Sequence, residues 1–77
     1  MCEKECLAKI NEFNKLNLMG KKIYEKGSNY WIKINCIKCE NLGENEFKAR
    51  CYCDHEKGGK TLPYELDYII NHFTLPE

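Results

Sequence analysis

Four cysteines lie close together in the stretch CIKCENLGENEFKARCYC, as Cys36, Cys39, Cys51 and Cys53. Their spacing is C-x2-C, eleven residues, then C-x-C. Two cysteine pairs on one hairpin are typical of zinc sites, because a tetrahedral thiolate site takes two close ligands from each side. The pattern therefore makes these four thiols candidate zinc ligands, with His55 as a substitute.

A second interpretation treats the same cysteines as strand residues. We expect Cys36 to face Cys51 across the hairpin, which places Ile34 opposite Cys53. Three thiols then share the core side of the sheet, and Cys39 points the other way unless the strand breaks before it. Free cysteine is often buried as a small hydrophobic residue. Buried thiols, a zinc site, and disulfide or redox use therefore remain three open interpretations.

The run Cys53-Asp54-His55 places a thiol, a carboxylate and an imidazole side by side. Catalytic groups of this kind meet in space and are rarely neighbours in sequence. Adjacent strand residues also point to opposite faces of a sheet. The chain contains no Gly-rich phosphate-binding motif, because KGGK lacks the required spacing. We therefore expect that the protein is not an enzyme and has no catalytic residues.

The bulk composition predicts one folded domain over residues 1–77. The chain is 43% hydrophobic and 31% charged, which is too apolar for a disordered segment. Its 12 basic and 12 acidic side chains give no net charge, which argues against a polyanion-coating protein. Lysines concentrate in the middle of the chain, whereas residues 61–77 contain acids and no Lys or Arg.

The first ten residues, MCEKECLAKI, contain no apolar stretch of the kind found in secretory signals. No window approaches the roughly 18 apolar residues of a membrane span. We therefore expect a cytoplasmic protein without a membrane partner, in a compartment that keeps thiols reduced.

The elements that must position these residues follow from hydrophobic periodicity. Residues 3–18 predict a helix that ends near Gly20, and its apolar stripe consists of Cys2, Cys6, Ile10, Phe13 and Leu16. Alternating runs separated by turns predict strands at 21–26, 29–37 and 47–53.

The segment TLPYELDYIINHFTLP predicts a second helix, with Thr61 as N-cap, Pro63 in the first turn and Pro76 as its end. Its apolar stripe consists of Leu62, Leu66, Ile69, Ile70 and Phe73. The expected fold class is α+β, a single small α-β-β-β-α domain with a three-stranded antiparallel sheet and two helices on one face.

Two surfaces remain for binding. The sheet face away from the helices is expected to carry Trp31, Lys33, Ile37, Lys48, Arg50 and Tyr52. Aromatic rings interleaved with cations stack on bases or dock on an acidic protein surface. The outer side of the last helix is expected to carry Tyr64, Tyr68 and His72, at a spacing of four residues. The alternatives are a solvated sheet face and tyrosines that cover the core edge or a homodimer interface.

The α-β-β-β-α order and the length resemble a double-stranded-RNA-binding domain. In that family the start of the second helix is basic and grips phosphates. Here the corresponding stretch is GGKTLPYELD, with one lysine followed by acids. The resemblance implies a nucleic-acid-binding module, but the lysine cluster that it needs is absent.

The profile of the whole chain is similar to that of small inhibitors encoded by phages and mobile elements, of which the anti-CRISPR proteins are the best known. The shared features are small size, absence of catalytic motifs, and a composition rich in Lys, Asn, Ile and Tyr. The resemblance implies a protein that blocks a host defence or nucleic-acid-processing complex by covering one of its surfaces.

We therefore expect a non-enzymatic module, a monomer or homodimer, that binds a protein. The predicted partner-binding residues are Trp31, Lys33, Lys48, Arg50, Tyr52, Tyr64 and Tyr68. The alternative is a small zinc-stabilised nucleic-acid-binding domain that uses the same sheet face, with Cys36, Cys39, Cys51 and Cys53 as the metal ligands.

Overall fold

The computed structural model describes residues 2–75 and is built around one long β-hairpin. The sheet has the order β4-β3-β2-β1-β5, and every neighbouring pair of strands is antiparallel. Neither helix in the described part of the chain is long and apolar enough to cross a membrane. In chain order the elements are α1 (Glu3–Asn14), β1 (Lys22–Glu25), β2 (Trp31–Gly43), β3 (Glu46–His55), β4 (Tyr64–Glu65), α2 (Leu66–His72) and β5 (Phe73–Thr74).

The predicted three-stranded sheet is wrong, because two short strands extend it to five. Strand β4 pairs with β3 through Arg50 and Cys51. Strand β5 pairs with β1 through Tyr24 and Glu25. Each added strand has two residues, which is too few to show the alternation by which a strand is detected in a sequence. Helix α2 therefore connects the two edges of the sheet.

The predicted start of the second helix is also wrong. Thr61 does not cap it, because the Thr61 hydroxyl donates a hydrogen bond to the Leu62 carbonyl. Tyr64 and Glu65 are extended because they pair with β3, so the helix begins only at Leu66. Leu62, predicted to be buried, is 87% exposed. Pro76, the predicted end of this helix, lies outside the described residues.

Helix α1 ends at Asn14, earlier than predicted. Asn17 adopts a φ of 54°, a left-handed conformation that asparagine tolerates better than most residues but that breaks a helix. Cys6, Ile10 and Phe13 are buried as expected, whereas Cys2 is exposed.

The central hairpin is longer than predicted. Strand β2 continues to Gly43 instead of ending at Ile37, and only residues 44 and 45 form the turn. Asn45 has a φ of 53°, a left-handed conformation that asparagine tolerates better than most residues. The segment ENLGENE, predicted to be a turn, is therefore mostly strand.

A β-bulge at Asn35 interrupts this hairpin. Ile34 pairs with Cys53, but the next pair is Cys36 with Tyr52, so β2 contains one extra residue. Because side chains alternate between faces, one extra residue reverses which positions face the core. Before the bulge the even-numbered residues of β2 face the helices; beyond it, the odd-numbered residues do.

Both helices pack on the same face of the sheet, where they bury one cluster of apolar side chains. Cys6, Ile10 and Phe13 come from α1, and Leu66 and Ile69 come from α2. The other buried members are Leu18, Ile23, Ile32, Ile34, Ala49, Cys51, Cys53 and Phe73.

Candidate functional site

The sheet face opposite the helices is here called the outer face, and none of its side chains is buried. The ladder pairings place each of its residues, because residues directly opposite each other share a face. It carries Lys22, Tyr24, Trp31, Lys33, Cys36, Lys38, Glu40, Glu46, Lys48, Arg50, Tyr52, Asp54, Lys60, Glu65 and Thr74.

The outer face is positively charged in a chain that has no net charge. It contains six Lys or Arg side chains and four Asp or Glu side chains, a net charge of +2. Because the whole chain has a formal net charge of zero, the remainder carries a net charge of −2. This segregation gives the molecule a cationic face suited to an anionic partner.

Lysine side chains lie over both large aromatic rings near the centre of the outer face. The Lys22 ammonium is 4.6 Å from the Trp31 ring centroid, and the Lys33 ammonium is 5.7 Å from it. The Lys38 ammonium is 5.1 Å from the Tyr52 ring centroid. These distances are within the range of cation–π attraction. Each ring and the lysine above it therefore form one contact surface.

Polar contacts hold the side chains of Tyr52, Arg50 and Lys48 in position on the outer face. The Tyr52 hydroxyl donates a hydrogen bond to Glu40 Oε2 at 2.8 Å, and this bond raises the pKa of Tyr52. Arg50 Nε lies 3.6 Å from Glu40 Oε1. Lys48 pairs with Glu65 at 2.7 Å across the edge of the sheet. Tyr52 and Arg50 therefore share one carboxylate, which holds both side chains in position.

Five of the seven predicted binding residues lie on the outer face: Trp31, Lys33, Lys48, Arg50 and Tyr52. Ile37, also predicted there, lies on the helix side opposite Cys51 because of the bulge. The bulge also brings Lys38 to the outer face. Tyr24 also lies on the outer face, because it pairs with Trp31 between β1 and β2. Hydrophobic periodicity alone does not determine this register.

The other two predicted residues belong to an aromatic column on the helix side. Tyr64 lies in β4 rather than on a helix, stacks on Tyr68 at 5.4 Å, and contacts Phe73 edge-to-face at 5.8 Å. Burial, followed by a hydrogen bond with Tyr30, raises the pKa of Tyr64 to about 12. Tyr68 is 42% exposed and continues the column to His72 at 4.2 Å. Tyr64 therefore covers the core edge, and only Tyr68 and His72 are exposed.

The four central cysteines are divided between the two faces. Cys36 lies on the outer face opposite Tyr52, and the expected pairing of Cys36 with Cys51 is wrong. Cys39 lies on the core side opposite Ala49, contrary to expectation, and Cys51 and Cys53 are buried there. This division does not fit a tetrahedral four-thiolate cage. Among residues 2–75 no group of three or more His, Cys, Asp or Glu side chains is placed to hold a metal ion.

All six cysteines are free thiols, and three of them are buried. Burial, reinforced by the neighbouring Cys39 thiol of β2, raises the pKa of Cys6 of α1 to about 11. Burial raises the pKa of Cys51 to about 12. Burial and the neighbouring Asp54 carboxylate raise the pKa of Cys53 to about 11. These shifts oppose the thiolate form that a nucleophilic cysteine needs.

We expect the stability of the protein to be constant up to about pH 9 and to fall above it. A thiol with a raised pKa holds its proton more tightly in the folded state, so the unfolded state loses its proton first as the pH rises. For Cys51 the stabilisation is complete below 9.0, its ordinary value, and is lost progressively toward about 12. Urea midpoints measured by circular dichroism from pH 7 to 11, with reductant present, test this.

The matched control is Cys51→Ala, which removes the most strongly shifted thiol and keeps a small apolar side chain. Its urea midpoint should decrease less between pH 9 and 11 than that of the wild type. Equal decreases in the two proteins would show that Cys51 does not cause the dependence.

Comparison with known proteins finds no matching family model, no matching curated protein and no matching solved structure.

Proposed function

We propose that this protein is a non-enzymatic binding module whose outer face docks on an acidic surface of a protein partner. The observation that carries the proposal is an uncovered sheet face with a net charge of +2, on which two half-buried aromatic rings lie beneath lysine ammonium groups. Aromatic residues and arginine are enriched at protein interfaces because they bring large contact areas and directional hydrogen bonds.

Two features of the outer face favour a protein partner over nucleic acid. Single-strand binders offer free ring faces for base stacking, whereas lysines already lie over Trp31 and Tyr52. Four carboxylates, on Glu40, Glu46, Asp54 and Glu65, are interspersed among the cations and would repel a continuous phosphate backbone. A mixed surface of this kind suits a partner of mixed but predominantly acidic character.

The residues of the outer face have different expected roles. Trp31 and Tyr52 are the contact anchors, because large rings held in position lose little entropy on binding. Arg50 is held beside Tyr52 by Glu40 and presents a planar group for carboxylates. Lys33 and Lys48 add positive charge to the outer face and mainly accelerate association with an acidic surface.

The inhibitory role implied by the resemblance to anti-CRISPR proteins is part of this proposal. An inhibitor with this cationic face would cover an acidic surface of its target complex. Six free thiols support a reducing compartment, so we place the interaction in the cytoplasm.

The proposal is tested by selecting ligands from a random peptide display library with the wild-type protein. The selected peptides should be enriched in Asp and Glu. Trp31→Ala with Arg50→Ala should weaken binding of the best peptide by at least about 30-fold, the effect of losing one interface hot spot of about 2 kcal/mol.

The control is Leu7→Ala with Met19→Ala, which removes two exposed apolar side chains outside the outer face. This variant should bind the selected peptide as the wild type does. Equal weakening in the control, or peptides without acidic enrichment, would contradict the proposal. So would tight binding of a 20-nucleotide oligo(dT) with a steep salt dependence, which would favour the nucleic-acid alternative.

A further inference from the structure

A depression lies in the sheet at the β-bulge, beside the Tyr52 ring of the outer face. Its volume is about 190 Å³, room for about six waters at liquid density. This is smaller than the pockets that enclose whole cofactors or drug-sized ligands, so it suits a single side-chain group. The residues around it are Asn35, Cys36, Lys38, Tyr52, Cys53, Lys60 and Thr61.

Two lysines at this depression have no ion-pair partner within residues 2–75. The Lys38 ammonium lies over the Tyr52 ring, 5.1 Å from its centroid, and Lys60 is exposed on the neighbouring edge segment. By contrast, Lys48 and Arg50 on the same face are paired with Glu65 and Glu40. The positive charge at the depression is therefore less neutralised than the charge beside it.

The fold fixes both lysines at the depression. The Thr61 amide donates to the Cys53 carbonyl at 2.9 Å, which holds the segment that carries Lys60 against β3. The extra residue Asn35 brings Lys38 to the outer face, and the exposed Asn35 amide adds a neutral donor.

Acidic groups near the depression do not neutralise these lysines. The Asp54 backbone pairs with that of Lys60, but no ion pair joins their side chains within the described residues. The Glu40 carboxylate already accepts the Tyr52 hydroxyl and faces Arg50.

We propose that this depression, here called the bulge pocket, binds one oxyanion group of the partner, a carboxylate or a phosphate monoester on a side chain. Lys38 and Lys60 supply the charge, and the Asn35 amide supplies a further hydrogen bond. The inference rests on the proposed function, because it names the chemical group that an acidic partner inserts into the outer face.

The test uses the 15N-labelled protein and two free anions, acetate and inorganic phosphate, titrated at constant ionic strength set with chloride. Amide shifts should saturate at Asn35, Cys36 and Lys60 for at least one anion. Lys38→Gln with Lys60→Gln should weaken this binding at least about ten-fold, because charge-assisted hydrogen bonds to both lysines are lost.

The control variant, Lys4→Gln with Lys26→Gln, changes the net charge equally but alters exposed lysines elsewhere. It should bind the anion as the wild type does. Saturation with acetate supports an acidic side chain as the natural occupant, and saturation with phosphate alone supports a phosphorylated one. Shifts spread over all surface lysines, or equal weakening in both variants, would overturn the inference.

Failure of this inference is distinguishable from failure of the proposed function, because the anion titration needs no partner. If the pocket binds neither anion but Trp31→Ala with Arg50→Ala still abolishes peptide binding, only the inference fails. If the pocket binds an anion but the outer-face variant retains peptide affinity, the proposed function fails.

Discussion

Replacing Phe73 with alanine is expected to lower the free energy of unfolding by about 3–5 kcal/mol, the usual cost of deleting a buried aromatic ring. Phe73 is 1% exposed and its ring packs edge-to-face on Tyr64. It also lies in β5, whose pairing with β1 at Glu25 holds the end of α2 to the sheet. Removing the ring therefore leaves a cavity and weakens the attachment of α2 and β5.

The expected loss is large for a chain of 77 residues, because small domains have total stabilities near the lower end of about 5–15 kcal/mol. Urea unfolding followed by circular dichroism measures it, provided that the slope of the transition is unchanged. Ile70→Ala is the matched control: Ile70 was predicted to be on the same buried stripe but is 39% exposed. It should cost at most about 1 kcal/mol, and equal losses would contradict the observed burial of Phe73 and exposure of Ile70.

The sequence was sufficient to predict features that repeat over several residues. The α1 stripe, with Cys6, Ile10 and Phe13 buried, followed from helical periodicity. The composition of the outer face followed mostly from the alternation of β2 before the bulge and of β3 throughout. Five of the seven candidate binding residues were therefore placed together from the sequence.

The bulge was not predictable because no residue type requires it. Asn35 is neither a glycine nor a proline, and an uninterrupted alternation through Ile37 accounts equally well for the sequence. What selects the bulge is packing: beyond it, Ile37 lies opposite Cys51 and Cys39 opposite Ala49 on the helix side, while Lys38 reaches solvent. Without it Lys38 would face the core, at the high cost of burying a charge.

The end of the chain was mispredicted for a different reason. Helical periodicity predicts a helix through the stretch from Tyr64 to Thr74, yet the first two and last two residues of this stretch belong to strands. Hydrogen bonds to the free edges of β3 and β1 take these residues out of the helix. Such pairing depends on tertiary position, which local propensity does not encode.

Placing a carboxylate at Cys39 should destabilise the protein much more than placing one at Cys36, and this contrast determines which register is correct. Cys39→Asp should lower the free energy of unfolding by about 2–3 kcal/mol, because it puts a charge on the core side against the Cys6 thiol. Cys36→Asp should cost less than about 1 kcal/mol, because its side chain lies on the outer face near Lys38. Urea unfolding of both variants at pH 7 measures the difference.

The alanine variants Cys39→Ala and Cys36→Ala separate the effect of charge from the loss of a thiol. An uninterrupted strand would bury Cys36 and expose Cys39, so it requires Cys36→Asp to be the more damaging substitution. That outcome would eliminate the bulge, and with it the bulge pocket and the position of Lys38 on the outer face. If Cys39→Asp is instead the more damaging substitution, the bulge is retained and Cys36 lies beside Lys38 and Lys60. A carboxylate in place of the Cys36 thiol should then also weaken phosphate binding by like-charge repulsion.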